Sequence, residues 1–134
     1  MFADASALTA ILANEPDAGE LLARMQTYRV RVTSPLAVWE TVIAVGRVLE
    51  LEVDAAQAAV QDFLTLAGIA VEPVPAQAYG AAIDAFARFG KGRHPASLNF
   101  GDCFAYALAK ITREPLLFID NDFAQTDVEP ALKD

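Results

Sequence analysis

The chain is 134 residues long, 54% hydrophobic and 21% charged, which fits one domain with a substantial core and excludes intrinsic disorder. Its formal net charge of −8 argues against non-specific attraction to nucleic acid, where binding rests on phosphate neutralisation. The longest uncharged runs, such as 73–83, fall short of the roughly 18 apolar residues of a membrane span, and nothing reads as a signal peptide, so the expected location is the cytosol.

Met1–Asp4 reads as a short apolar strand, and Ala5–Asn14 as a helix with Ala7, Leu8, Ile11 and Leu12 at helical spacing. Asp4 thus stands where a strand hands over to a helix. The cluster Glu15-Pro16-Asp17 starts a second helix through Leu21, Leu22 and Met25, with Pro in its first turn. Tyr28–Thr33 alternates and is β-branched, a strand ended by Ser34-Pro35. A long helix spans about Leu36–Leu51, and Asp54 caps another ending near Gly68. Ile69–Val74 is a third strand and Ala76–Phe89 a helix, followed by a loop marked by Gly90, Gly92 and Pro95. A helix from Asn99 or Gly101 to Thr112 leads to a buried strand, Leu116–Ile119, and a short edge strand at Thr126–Val128. Strands alternating with helices predict a single α/β domain over 1–134, a three-layer α/β/α sandwich with a mainly parallel sheet. The lone cysteine, Cys103, excludes an internal disulfide and a thiolate zinc cluster, and its place beside Asp102 suggests packing.

Several acids stand alone in uncharged stretches. Asp4 is the only charge in 1–14, Glu40 the only one in 32–46, and Asp102 the only one in 95–109. Asp120 and Asp122 follow the apolar run Leu116–Ile119. A carboxylate drawn into a core by its neighbours costs several kcal/mol unless it is paired or bound to a metal. Ligands in parallel sheets bind outside the carboxyl ends of strands, and Asp4 and Asp120 both follow such ends. The pattern predicts carboxylates converging on a shared divalent ion. Each acid also has a structural alternative: Asp4 as a helix cap, Asp102 as a first-turn acid, Glu40 as a partner of Arg47.

The segments Phe2-Ala3-Asp4-Ala5-Ser6-Ala7, Ser34-Pro35-Leu36-Ala37-Val38-Trp39-Glu40, Arg88-Phe89-Gly90-Lys91-Gly92-Arg93-His94-Pro95, Leu98-Asn99-Phe100-Gly101-Asp102-Cys103 and Leu116-Leu117-Phe118-Ile119-Asp120-Asn121-Asp122-Phe123 occur in this order. In them the chain resembles the PIN-domain ribonucleases, specifically the VapC-type toxins of bacterial toxin–antitoxin modules. The resemblance implies a Mg²⁺- or Mn²⁺-dependent endoribonuclease acting on RNA, held silent by a cognate antitoxin across its active-site groove, and a homodimer. It carries the family's acidic motif onto Asp4, Glu40 and Asp102. For the fourth acid, some members match Asp120, and a subgroup with a Lys-Gly-Asn-Asp-Phe-like ending matches Asp122. Asp122 is taken as the equivalent, with Asp120 also expected near the metal.

Mg²⁺ keeps several waters and takes one or two carboxylates directly, which are assigned to Asp4 and Asp102. Glu40 and the 120/122 pair would orient waters, hold a second ion or help deprotonate the nucleophile. Ser6 is expected to support this site, as are Asn99 and Thr126. Arg88, Lys91 and Arg93 are candidates for phosphate contact, with loop solubility as the alternative. His94, the only histidine, reads as a solvated loop residue, and Trp39 as core. The rival readings are a phosphoacceptor receiver domain, for which no lysine follows Leu116–Ile119 closely, and an inactive PIN-like binding module.

Overall fold

The computed structural model describes residues Met1–Leu132. Four parallel strands, β1 (Phe2–Ala3), β2 (Val32–Thr33), β3 (Ala70–Val71) and β4 (Leu116–Leu117), form one sheet in the order β3-β2-β1-β4. Phe2 lies opposite Val32 on one side and Leu116 on the other. Six helices connect and cover them: α1 (Ala5–Leu12), α2 (Ala18–Gln26), α3 (Pro35–Val48), α4 (Val53–Ala67), α5 (Ala78–Phe89) and α6 (Phe100–Thr112).

Strand alternation builds the three layers, because successive side chains leave a strand on opposite faces. Phe2 and Leu116 enter a core with Ala82 and Ala85 of α5 and Tyr106 and Leu108 of α6. Their neighbours Ala3 and Leu117 enter the opposite core, with Leu8 of α1, Leu21 of α2, Val45 of α3 and Val60 of α4. The sheet therefore has helices on both faces, as expected for parallel strands.

Helix boundaries follow local chemistry. Ser34 caps α3 by accepting the Ala37 N–H at 3.1 Å, with Pro35 in the first turn. Gly68 ends α4 at φ +66°, a left-handed conformation that L side chains rarely adopt. Three expectations need correction. The strands are two residues each, shorter than the apolar runs that contain them. Asp54 is not the cap of α4, which starts at Val53 after Glu52, two residues earlier than that cap would set; the Asp54 carboxylate accepts the Ala55 N–H at 2.9 Å instead. Thr126–Val128 is not a strand, because the Thr126 hydroxyl donates to the Phe123 carbonyl and accepts the Val128 N–H, folding the segment into a turn. The outer edge of β4 is met instead at Pro130.

The chain runs outward from β1 through β2 to β3, then returns to lay β4 on the other side of β1. The direction of winding thus reverses between β1 and β4. In open parallel sheets the crevice at such a switch point, beyond the carboxyl ends of the strands, is where ligands bind.

Candidate active site

Asp4 and Asp120 flank this crevice, following β1 and β4. Asp4 caps α1, its Oδ2 accepting the Ser6 N–H at 3.0 Å, and the residue is only 5% exposed. The Ser6 hydroxyl accepts the Ile119 N–H at 3.3 Å, and it lowers the proton affinity of both Asp4 and Asp120. Asp120 Oδ1 accepts the Asp122 N–H at 3.0 Å, and the carboxylate also accepts the Phe123 N–H, securing the 3-10 turn Phe123–Gln125.

Two helices supply the other acids. Asn99 and Asp102 form a reciprocal capping box at the start of α6: Asn99 Oδ1 accepts the Asp102 N–H at 2.9 Å, and Asp102 Oδ2 accepts the Asn99 N–H at 3.0 Å. Glu40 reaches across from α3 and lies on Gly101, such that a Cβ at that glycine would sit 2.6 Å from Glu40 Cδ. The capping expectations for Asp4 and Asp102 are met, and neither excludes a ligand role, since a carboxylate has a second oxygen. Among the described residues, Arg47 does not pair with Glu40, and no Lys or Arg forms a salt bridge with any of the five acids.

Burial, reinforced by like charges nearby, raises the proton affinity of Asp4, Glu40, Asp102 and Asp120. Burial pushes the Asp4 carboxyl up to about 6, with the charges of Asp120 and Glu40 adding to it. Burial pushes Asp102 up to about 7, opposed by the Asn99 N–H and reinforced by Asp4, Asp120 and Asp122. Glu40 is raised by burial and by Asp102, and Asp120 by burial and by Asp122. Buried carboxylates that repel one another form a candidate functional site whose charge a cation would relieve.

The sign of the resulting pH dependence is fixed. Both groups bind protons more tightly in the folded state than at the unfolded value of about 3.9, so their stabilisation is complete below that pH and is lost as pH rises through about 6 and 7. Asp4 alone corresponds to on the order of 3 kcal/mol. Asp127, held below the usual range chiefly by the Tyr106 hydroxyl, acts in the opposite sense but below this window. In metal-free buffer the unfolding midpoint should fall between pH 4 and 8, and saturating Mg²⁺ or Mn²⁺ should remove most of that slope. A flat metal-free profile in thermal melts would show that these carboxylates do not share a pocket.

The donor set fits a hard divalent cation: oxygen only, with carboxylates, a hydroxyl and space for water. Among the described residues, however, no three acids close tightly enough to hold an ion. The expected convergence is therefore looser than a finished ligand set. Backbone N–H groups engage one oxygen each of Asp4, Asp102 and Asp120, and uncompensated charges stay apart.

The basic segment is divided. The Arg88 guanidinium lies 3.4 Å from Asp127 and 3.7 Å from Asp84 and donates to the Tyr106 hydroxyl, so it serves to fasten the C-terminal segment to α5 and α6. Lys91 is exposed, while exposed Arg93 donates to the Ala87 carbonyl at 3.4 Å. His94 is not a free loop residue: its Nδ1 accepts the Ala96 N–H at 3.0 Å, and its ring stands edge-on to Phe89. Trp39 is not core, being 66% exposed. The buried stripe of α3 runs through Ala37, Thr41 and Val45, which turns Trp39 outward to line a cleft of about 480 Å³ with Pro35, Leu36, Glu40, Asn99, Phe100 and Gly101. Cys103 is buried, as expected of a packing residue.

The sequence reading missed the role of Gly101, although a glycine in the first turn of a helix was a visible anomaly. It also understated Ser6, which bears on the proton affinity of two acids.

A parallel α/β/α sandwich with buried acids at its switch point matches a known class. The family model described as PIN domain matches residues 1–129. A ribonuclease VapC of Mycolicibacterium smegmatis is 42% identical, over 96% of this chain and 97% of the relative. Ribonuclease VapC28 of Mycobacterium tuberculosis is 41% identical over 98% of each chain, and ribonuclease VapC30 of the same organism is 38% identical over 96% of this chain and 95% of the relative. The crystal structure of Mycobacterium tuberculosis VapC20, a sarcin-ricin loop cleaving toxin, has the same fold, with a TM-score of 0.73 at 23% identity over 95% of each chain. The chain belongs to the PIN-domain family, and within it to the VapC ribonucleases. The receiver-domain reading falls away.

Proposed function

We infer that the chain is a divalent-metal-dependent endoribonuclease, the toxin of a toxin–antitoxin pair, with 1–134 as one nuclease domain. The observation that carries this reading is the set of cation-free, partly or fully buried carboxylates at the β1/β4 switch point of a VapC-family chain. Their presence also weighs against an inactive binding module.

Asp4 and Asp102 would hold Mg²⁺ or Mn²⁺ directly, with Glu40, Asp120 and Asp122 completing its surroundings. When bound, the ion supplies Lewis acidity to the phosphate and lowers the pKa of the attacking water. The residues do the rest. Glu40, with its proton affinity raised, faces the cleft and accepts a proton from the water it orients. Ser6, whose hydroxyl lowers the proton affinity of both Asp4 and Asp120, would steady whichever of the two is ionised. Lys91 and Arg93 are placed to meet RNA phosphates, whereas Arg88 is committed to Asp127.

Exposed Trp39 and Phe100 line the cleft beside Glu40, and Tyr79, Ile83 and Phe86 continue an apolar groove past Phe100. A cognate antitoxin seated there would cover the acids and the apolar surface together, and a second copy of the chain would take further apolar area in a homodimer. None of the helices among the described residues is long and apolar enough to cross a membrane, and a toxin acting on cellular RNA works in the cytoplasm.

The test is cleavage of a structured RNA by the purified protein. Activity should vanish with a chelator, return with Mg²⁺ or Mn²⁺, and be lost again on adding a cognate antitoxin. Cleavage that persists unchanged in excess chelator would refute the metal site.

A further inference from the structure

We propose that Gly101 is a positioning residue, whose missing side chain is the seat that holds the Glu40 carboxylate against the first turn of α6. The inference rests on the ribonuclease reading above. A Cβ at Gly101 would meet Glu40 first: the three nearest atoms are its Oε1, Oε2 and Cδ, the last at 2.6 Å. Real Cβ atoms do not approach so closely, so any other residue would drive the carboxylate out.

The fold itself does not ask for this glycine. Among the glycines only Gly68 and Gly92 have positive φ, so Gly101 occupies a conformation open to every L residue. Glycine in a helix is also less favourable than alanine. Gly90 makes a useful contrast. A Cβ there would strike the Phe86 ring and carbonyl, which are part of the fold, whereas at Gly101 the obstacle is the tip of a flexible acid. Replacement at 101 should therefore leave the fold standing and move the acid.

The seat sets where the Glu40 carboxylate lies against α6. The first turn of a helix offers unpaired N–H groups and the positive end of its dipole, both favourable to a carboxylate. α3 packs against α6, which brings Glu40 to that turn and beside Asp102. Displaced from the seat, the side chain would swing towards Trp39 and solvent, away from Asp102 and the ion.

The test is a double-mutant cycle of Gly101→Ala, Glu40→Ala and Gly101→Ala/Glu40→Ala, read by kcat/KM on RNA, by Mn²⁺ affinity and by thermal unfolding. Gly101→Ala should lower kcat/KM and Mn²⁺ affinity by about tenfold or more, as loss of a supporting group at a metal site does, with an unfolding midpoint at or above wild type. The double variant should match Glu40→Ala. Wild-type kcat/KM and Mn²⁺ affinity in Gly101→Ala would overturn the proposal, as would an undiminished further loss in the Glu40→Ala background. If Gly101→Ala does not fold, the double variant decides: the seat requires it to fold as Glu40→Ala does, and its failure to fold refutes the idea. A wild-type protein that cleaves no RNA would sink the ribonuclease reading, while Mn²⁺ affinity and unfolding would still judge the seat.

Discussion

Asp4→Asn and Asp102→Asn should each abolish RNA cleavage while leaving the metal-free protein at least as stable as wild type. Asparagine keeps the shape and the acceptor oxygen, so the cap on the Ser6 N–H and the capping box with Asn99 both survive. What disappears is a carboxylate at two places where burial and neighbouring acids already oppose ionisation. Removing that penalty at Asp4 stabilises the apo protein by on the order of 1–3 kcal/mol near neutral pH. At both positions the lost interaction with a helix dipole offsets part of the gain by about 0.3–1 kcal/mol, since Asp4 caps α1 as Asp102 caps α6. Activity moves the other way. Groups that merely support a metal site cost roughly 10–100-fold when removed, so a direct ligand should cost at least about a hundredfold. Cleavage assays and thermal melts with and without Mn²⁺ measure both quantities. A well-folded Asp4→Asn/Asp102→Asn double variant that still cleaves RNA at the wild-type rate would refute the assigned roles.

Opposite movement of stability and activity is what separates these acids from ordinary caps. A capping aspartate stabilises its helix, and losing its charge weakens the protein modestly. Asp4 and Asp102 do cap, yet their proton affinities are raised, so the fold tolerates their charges more than it benefits from them. Strain of this kind at one sheet crevice is what a bound cation would relieve, and it would link folding to function through a single cluster.

The sheet was legible because Phe2-Ala3 and Leu116-Leu117 are apolar on both faces, as strands between two helical layers must be. Strand length was not, since apolar content continues past the last paired residue: Phe118 and Ile119 pack against the two cores outside the sheet. Trp39 shows a different limit. Its neighbours are apolar, but the stripe through Ala37, Thr41 and Val45 decides which face is buried, and Trp39 falls on the other one. The isolated acids were visible from charge spacing alone, but their gathering depended on helix α6 meeting α3 at Gly101, a contact between segments far apart in sequence. Likewise, Arg88 looked like part of a free basic cluster because Asp127, its partner, lies in a segment expected to be an edge strand.

Asp120→Asn should impair cleavage more than Asp122→Asn does. The charge of Asp120 reaches both Asp4 and Asp102, whereas that of Asp122 reaches Asp102 and Asp120, which puts Asp120 nearer the middle of the cluster. The Ser6 hydroxyl also bears on the proton affinity of both Asp120 and Asp4. The family spacing alone favours Asp122, so the two arguments give opposite rankings and a direct comparison decides between them. Asparagine is the right replacement at 120, because glycine would also remove the acceptor for the Asp122 and Phe123 N–H groups and loosen the turn at Phe123–Gln125. With the turn intact, Asp120→Asn should lower kcat/KM and Mn²⁺ affinity by about tenfold or more without lowering the unfolding midpoint. Asp122→Asn should fall short of that loss, and the double variant should exceed either single one. If Asp122→Asn is inactive and Asp120→Asn is close to wild type, the ion sits further from β1 than the charges place it, and Asp120 serves only to hold the turn.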